Sequence, residues 1–120
     1  MTPSEGASCA HDTPRAETIA RLNDKLRKHA DGGTILMTRG VMALSGFEAV
    51  TLLSALANYD DFDADNDPHG ERDFGDLEFA GASLLWKVDY YDTDLAFASP
   101  DPADAQVTRR VLTVMLAEEW

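Results

Sequence analysis

YDDFDADNDPHGERDFGDLEFAGASLLWKVDYYDTD, residues 59–94, joins a carboxylate-rich loop to a predicted β-hairpin. Residues 74–79 and 82–91 are predicted strands that contain aromatic and other apolar residues, and Ala80 and Gly81 between them favour a tight turn. Alternate side chains of a strand share one face, which gives the second strand a core face. That face consists of Leu84, Trp86, Val88 and Tyr90.

The segments on either side of this hairpin predict an α+β domain. Apolar residues at three- and four-residue steps predict three helices, and a short apolar β-branched run predicts a further strand. The first helix spans residues 14–31 and is capped by Thr13. The second spans residues 46–58 and begins with a capping box of Ser45 and Glu48, and the third spans residues 103–118. The strand is residues 34–38, and residues 95–97 are a further short strand.

These elements give the order α-β-α-β-β-(β)-α, with three helices packed on a small, mainly antiparallel sheet. We predict one compact domain over residues 13–120, preceded by a mobile tail over residues 1–12. The chain has 120 residues, of which 44% are hydrophobic, so it can bury a core.

The cysteine count and the pattern of apolar residues indicate the compartment. Its single cysteine, Cys9, excludes an internal disulfide and fits a reducing compartment. The first residues lack the basic start and apolar run of a signal peptide, and no window approaches the ~20 apolar residues of a membrane span. We therefore expect a cytoplasmic protein without a membrane partner.

The net charge of −12 belongs entirely to the second half of the chain. Residues 1–57 hold six acids and six bases, whereas residues 58–120 hold sixteen acids and four bases. Such a surface repels nucleic acid and favours divalent cations or a basic protein surface. The alternative is that the charge only keeps the protein soluble.

Eight carboxylates lie within residues 60–76, and this cluster is a candidate cation site. Asp61, Asp63, Asp65 and Asp67 alternate as at the start of a calcium loop. The glycine and glutamate that such a loop needs are then replaced by Asn66 and Arg72, so this is not an EF-hand. A different divalent cation site would use Asp65, Asp67, Glu71 and Asp73, while a solvated loop is the alternative.

His69 has two interpretations. In an extended segment it would share a side with Glu71 and Asp73, as an acid/base or metal cluster. The run of Asp67, Pro68, His69 and Gly70, however, has strong turn chemistry, and we favour the turn.

Three strings then carry a family resemblance: DNDPHGERDFG (65–75), WKVDYYD (86–92) and SPDPADAQVTRRVLTVMLAEEW (99–120). Together with ILMTRGVMAL (35–44) and LND (22–24), they resemble the bacterial domain-of-unknown-function family 3768. The resemblance covers nearly all of the chain after about residue 17. It implies a small single-domain protein, found mainly in proteobacteria and often on mobile or plasmid-borne DNA, with no settled biochemical function.

The resemblance and the loop–hairpin unit together select the candidate binding residues. Where members often have tyrosine and histidine, this chain has His69 and Arg72, which weakens a mechanism based on histidine there. The candidates are Arg39, Asp65, Asn66, Asp67, Glu71, Asp73, Trp86, Lys87, Asp89 and Tyr91.

Two functions follow from the sequence. The first is a non-enzymatic module whose acidic half, residues 58–120, docks on a basic protein surface, for example as a DNA mimic that inhibits a host defence complex. The second is a metal-dependent hydrolase or cation-binding protein that uses the carboxylates of residues 60–76, with His69, Lys87 or Tyr90 assisting. No catalytic signature is present, so binding is favoured over catalysis.

Overall fold

The structure, a computed structural model, describes the backbone of residues 7–120 and the side chains of residues 15–120. Seven main elements follow one another: α1 (Ala7–His29), β1 (Gly33–Met37), α2 (Arg39–Met42), α3 (Ala49–Ala57), β2 (Phe74–Phe79), β3 (Ala82–Tyr91) and β4 (Arg109–Leu116), with short 3-10 turns at Ala105–Val107 and Ala117–Glu119. The α+β class and the single compact domain are confirmed. Among the described residues, no helix combines the length and hydropathy that a membrane crossing requires.

The four strands form one mixed sheet in the order β1-β4-β3-β2. Strands β2, β3 and β4 pair antiparallel, and β1 pairs with β4 in parallel. The sheet is therefore small and mainly antiparallel, as predicted, and β1 and β2 are its two edges.

The hairpin forms as predicted. Its strands span Phe74–Phe79 and Ala82–Tyr91, and the two turn residues both have positive φ, 53° at Ala80 and 78° at Gly81. Positive φ at both central positions is the type I′ geometry whose twist matches that of the flanking strands.

The prediction of a helix over residues 103–118 is wrong, because most of this segment is strand β4. β4 lies between β1 and β3, so both of its edges are hydrogen-bonded. Arg110, Leu112 and Val114 are buried in alternation. Val111 lies between them, and Val114 is followed by Met115 and Leu116, so the run 111–116 is apolar except at Thr113. A largely apolar run of this kind gives helix-like spacings without a helix.

Smaller boundaries also differ from the predictions. The first helix begins at Ala7 and ends at His29, and the predicted cap Thr13 lies outside the residues whose side chains are described. The tail boundary at residue 12 stays a prediction. The helix predicted over residues 46–58 corresponds to α3, which begins at Ala49. Its N-cap residue, Glu48, makes no side-chain hydrogen bond that caps the helix, so the predicted capping box of Ser45 and Glu48 is wrong. Residues 95–97 form a turn, beside which Tyr91 and Ala98 make a single bridge.

The core lies on one face of the sheet, under α1 and α3. Leu26 of α1 and Leu52 and Leu56 of α3 are fully buried there. Trp86 and Leu112 are the large sheet residues opposite them. Gly75 of β2 is paired with Trp86 of β3, and because it has no side chain it leaves room for the ring of Tyr59.

The other face of the sheet is more polar. It carries Lys87, Asp89 and Tyr91 of β3, opposite Thr113, Val111 and Arg109 of β4. The ring of Trp120 lies 5.5 Å from that of Phe74, which is paired with Lys87.

We expect Gly75→Ala to destabilise the protein by about 2 kcal/mol, since overpacking a filled core has this cost. A Cβ at Gly75 would lie 2.6 Å from both Trp86 Nε1 and Tyr59 Cζ, closer than contact allows. Chemical denaturation measures the effect. The control is Glu78→Ala, an exposed change on the same strand, which should stay within about 0.5 kcal/mol of wild type. Equal stability of G75A and wild type would contradict this packing.

Candidate functional site

The acidic loop, residues 58–73, is anchored on the core by aromatic rings. Tyr59 is 9% exposed, and its ring lies edge-on to Phe62 at 5.0 Å and to Trp86 at 5.5 Å. Phe62 also meets Trp86 at 6.1 Å. Edge-to-face pairs of this kind stabilise beyond their area burial, so the start of the loop has a defined position.

A buried arginine joins this loop to both helices. Arg27 is 3% exposed, and its Nη1 donates to the carbonyls of Leu56, at 2.8 Å, and Tyr59, at 2.7 Å. Its Nη2 donates to Asp24 at 2.9 Å. The guanidinium also lies 5.4 Å from the ring centre of Phe62. Arg27 therefore neutralises the carbonyl end of α3 and holds the loop start against α1.

Side chains within the loop shape its backbone. The carboxylate of Asp63 accepts from the N–H groups of Asp65 and Asn66, at 2.9 and 3.0 Å, and Asn66 Oδ1 accepts from the N–H of Asp63 at 3.0 Å. The N–H of Gly70 donates to the carbonyl of Asp67 at 3.1 Å, which confirms the turn predicted at residues 67–70. Part of this polar cluster thus serves local geometry.

Arg72 ties the end of the loop to α1. Its Nε and Nη2 donate to the two oxygens of Asp24 at 2.8–3.1 Å, a bidentate pair that also reaches Glu17. The hydrogen bond to Asp24 raises the pKa of Arg72. The N–H of Arg72 donates to Asp67 at 2.9 Å, and its φ of 52° is in the left-handed region. These contacts hold a conformation that an arginine rarely adopts.

Beneath this end of the loop lies a buried polar chain of four side chains. Asn23 is fully buried, and its Oδ1 accepts from Arg110 Nε at 2.9 Å. Its Nδ2 donates to the Tyr90 hydroxyl at 2.8 Å and to the carbonyl of Glu71 at 3.0 Å. Tyr90 in turn donates to Glu71 Oε1 at 3.0 Å. The chain links α1, the loop, β3 and β4.

Burial governs the electrostatics of this chain. Burial raises the pKa of Tyr90, so its hydroxyl keeps its proton and donates to Glu71. Burial lowers the pKa of Arg110, which Tyr90 and Glu71 partly offset. The Arg110 guanidinium also lies 5.2 Å from the ring centre of Tyr90 and donates to the carbonyl of Pro102. The polar groups of the chain are thus matched donor to acceptor.

Asp73 lies beside this chain, and its carbonyl accepts from the N–H of Val88 at 2.8 Å. Burial raises the pKa of the Asp73 carboxyl, and the nearby charges of Glu71 and Asp67 raise it further, while His69 acts in the opposite direction. His69 itself is exposed and lines a groove of about 510 Å³ between α1 and the turn at 67–70.

The hydroxyl of Tyr59 marks the place where loop acids approach β2. It donates to the carbonyl of Asp61 at 3.1 Å. Burial raises its pKa, and the charges of Asp76, Asp61 and Asp63 add to that effect. Loop carboxylates and an edge-strand carboxylate therefore contribute to one negative potential.

The predicted binding residues fall into several places. Asp67, Glu71 and Asp73 come together at the end of the loop, and Asp65 and Asn66 lie earlier in it. Lys87 and Asp89 form an ion pair with each other on the opposite face of β3, which Tyr91 shares. Trp86 is fully buried, and Arg39 is exposed at the start of α2. The binding role of the set stays a prediction.

The carboxylates do not gather into a metal-binding group. Among the side chains of residues 15–120, no three of the His, Cys, Asp and Glu residues are placed to hold a metal ion. The predicted cation site at Asp65, Asp67, Glu71 and Asp73 stays a prediction.

Four structurally central residues were absent from the predicted set: Asn23, Arg27, Tyr90 and Arg110. Helical spacing places Asn23 beside the apolar stripe of α1, but a helix pattern does not show which strand it meets. Arg110 was assigned to a helix, which hid its pairing with Tyr90 across β3 and β4. The strings LND (22–24), WKVDYYD (86–92) and SPDPADAQVTRRVLTVMLAEEW (99–120) contain Asn23, Tyr90 and Arg110, but they do not show that these residues meet.

The fold and the site define a small α+β protein with an internally braced acidic loop. A family model described as "Protein of unknown function (DUF3768)" matches residues 37–119, more than half of the chain. The protein belongs to this family. The match does not include α1, so it is narrower than the resemblance that the sequence strings indicate. Searches of the curated proteins and of the solved structures each found no match.

The raised pKa of Asp73 predicts a pH-dependent contribution to stability. Because its pKa is higher in the folded state than in the unfolded state, the contribution is present at low pH and is lost as the pH rises through the folded pKa. Asp73→Asn should therefore melt above wild type at pH 7, and this difference should shrink as the pH falls to roughly 4, the ordinary range of aspartate.

Thermal melts at several pH values measure this effect. Asp65→Asn is the matched control, because Asp65 is an exposed acid of the same loop. The raised pKa of Asp73 would be refuted if the difference in melting temperature between D73N and wild type stayed the same from pH 7 to roughly pH 4. It would also be refuted if D65N showed the same pH-dependent difference.

Proposed function

We propose that this protein is a binding module, not an enzyme, and that its acidic half docks on a basic surface of another protein. The acids concerned lie within residues 58–120, and the ordered loop of residues 58–73 forms the centre of the surface.

The observation that carries this proposal is the small number of internal ion pairs. Among the side chains of residues 15–120, only two of the sixteen acids of the second half form one: Asp89 with Lys87 and Asp101 with Arg15. Sixteen minus two leaves fourteen acids whose charge no ion pair within these described residues balances. Arg27 and Arg72 are turned to the interior of the fold, where they pair with Asp24.

The rigidity of the loop supports a docking role. Asp60, Asp61, Asp63 and Asp65 are exposed, yet the loop that carries them is held by Phe62, Arg27 and its own turns. A surface that is already ordered loses little conformational entropy on binding. Complementary charge also accelerates association with a basic partner and makes it depend on salt.

The partner class that fits best is a protein with a nucleic-acid-binding groove. Such a groove is lined by lysine and arginine that meet a row of phosphates. An exposed, ordered run of carboxylates offers the same sign of charge, so the protein would act as a DNA mimic. The metal-dependent alternative stays a prediction, which calorimetry with Mg²⁺, Mn²⁺, Ca²⁺ and Zn²⁺ can check.

The first test compares two double variants of equal net charge. Asp61→Asn with Asp65→Asn removes two loop charges, and Asp31→Asn with Glu48→Gln removes two from the first half. Immobilised on beads, wild type should retain basic proteins from a nuclease-treated bacterial extract until salt is raised. The loop variant should retain roughly fivefold less, about 1 kcal/mol, and the control variant should match wild type. Retention that ignores salt, or equal losses in both variants, would refute the acidic-surface proposal.

A second measurement addresses mimicry. Duplex DNA added to loaded beads should release the retained proteins, because both ligands would occupy one groove. If salt releases the retained proteins but DNA does not, the proposal of a basic partner stands and the proposal of DNA mimicry is refuted.

A further inference from the structure

The loop of residues 92–98 is a closed turn organised by one carboxylate. Asp92 Oδ1 accepts from the N–H groups of Asp94, at 3.2 Å, and Ala96, at 3.0 Å. The N–H of Asp92 donates to the carbonyl of Phe97 at 2.8 Å, and that of Leu95 to the carbonyl of Asp92 at 3.0 Å. The N–H of Ala96, with others of the turn, lowers the pKa of Asp92. This loop is internally hydrogen-bonded throughout.

The turn presents two large apolar side chains to solvent. Leu95 is 59% exposed and Phe97 is 76% exposed. The φ of Leu95 is 58°, in the left-handed region that a leucine adopts only under strain. Backbone strain such as that of Leu95 clusters at functional sites, which makes this turn a candidate surface.

Leu95 borders a groove on the face of the sheet opposite the core. The groove has a volume of about 540 Å³ and lies over β1 and β4. Thr34 and Leu36 of β1 and Val111 of β4 share this face, and Leu36 is 50% exposed. Leu36 and Val111 on the floor and Leu95 at one wall therefore give the groove an apolar part.

The charge at this groove is opposite to that of the acidic loop. Arg109 lines the groove and is exposed, and among the side chains of residues 15–120 no carboxylate forms an ion pair with it. The neighbouring Arg110 is buried on the core face, bound to Asn23. Among the described side chains, the Arg109 guanidinium thus stands beside an apolar surface without an ion-pair partner.

The groove also adjoins an unpaired strand edge. Within the backbone of residues 7–120, β1 pairs only with β4, so the other side of Gly33–Met37 is an edge of the sheet that these residues form. This strand contains no charged residue and no proline, the features that usually block edge pairing. An extended peptide can add to such an edge through backbone hydrogen bonds, with its side chains entering the adjacent groove.

We propose that the groove formed by β1, β4 and the 92–98 turn docks an extended segment of a partner protein, one that carries apolar side chains and a carboxylate. The apolar side chains contact Leu36, Leu95 and Phe97, and the carboxylate pairs with Arg109. This is a second surface, independent of the acidic loop, and it selects the opposite charge.

The probe is a displayed library of random eight-residue peptides, selected against the full chain and counter-selected against Phe97→Ser. Enriched peptides should combine apolar residues with at least one acid. Synthetic copies should bind wild type and lose about tenfold or more in affinity with Phe97→Ser and with Arg109→Gln, as expected for anchor residues. Replacing the peptide acid with lysine should restore binding to Arg109→Glu.

Two exposed residues elsewhere supply matched controls. Val50→Ser removes an apolar side chain that is 77% exposed on α3, and Lys28→Gln removes an exposed cation on α1; both should bind as wild type does. Leu95→Gly should melt higher than wild type because the strain is relieved, while it binds the peptides more weakly.

Three results would overturn the proposal. The first is that no peptide is enriched, and the second is that binding does not change in F97S and R109Q. The third is sedimentation showing that wild type self-associates and F97S does not, since a second copy would then be the occupant. The double variant of Asp61 and Asp65 should bind the peptides normally, which separates this test from that of the acidic loop.

Discussion

The buried guanidinium of Arg27 is the interaction on which most of this structure depends. Burying a charge is costly unless its donors are satisfied, and here two carbonyls and Asp24 satisfy the terminal nitrogens Nη1 and Nη2. Among the described residues, Nε of Arg27 is buried and has no hydrogen-bond partner. Those acceptors belong to the end of α3, the start of the acidic loop and α1. One side chain therefore joins three segments, and Asp24 extends the link to Arg72 at the far end of the loop.

This internal use of arginine explains why the surface is so acidic. Three of the seven arginines stabilise the loop and β4 through contacts inside the fold. Arg27 donates to the carbonyl of Tyr59, Arg72 pairs with Asp24, and Arg110 donates to Asn23. They stabilise the fold but do not pair with the loop acids. The molecule thus combines a rigid loop with uncompensated charge, which is the physical basis of the proposed docking on a basic surface.

The far face of the sheet has a different character. The Asp92 turn and the β1 edge border a groove with apolar lining and an exposed cation, Arg109, which no carboxylate among the described residues pairs with. The sheet separates this groove from the core beneath it, because alternate residues of β4 point to opposite faces. Arg109 and Arg110 are adjacent in sequence, yet one lies at a groove and the other within the core.

The sequence by itself determined the hairpin, the α+β class and the turn at residues 67–70, because each depends on local preference: alternation, turn chemistry and short-range hydrogen bonds. It also located all of the excess charge. Only the tertiary structure decided that β4 is a strand, since a continuous apolar run suits a central strand as well as a helix. It alone brought Asn23 to Arg110 and Arg27 to Tyr59, because these contacts join segments far apart in the chain, and no local pattern specifies which segments meet.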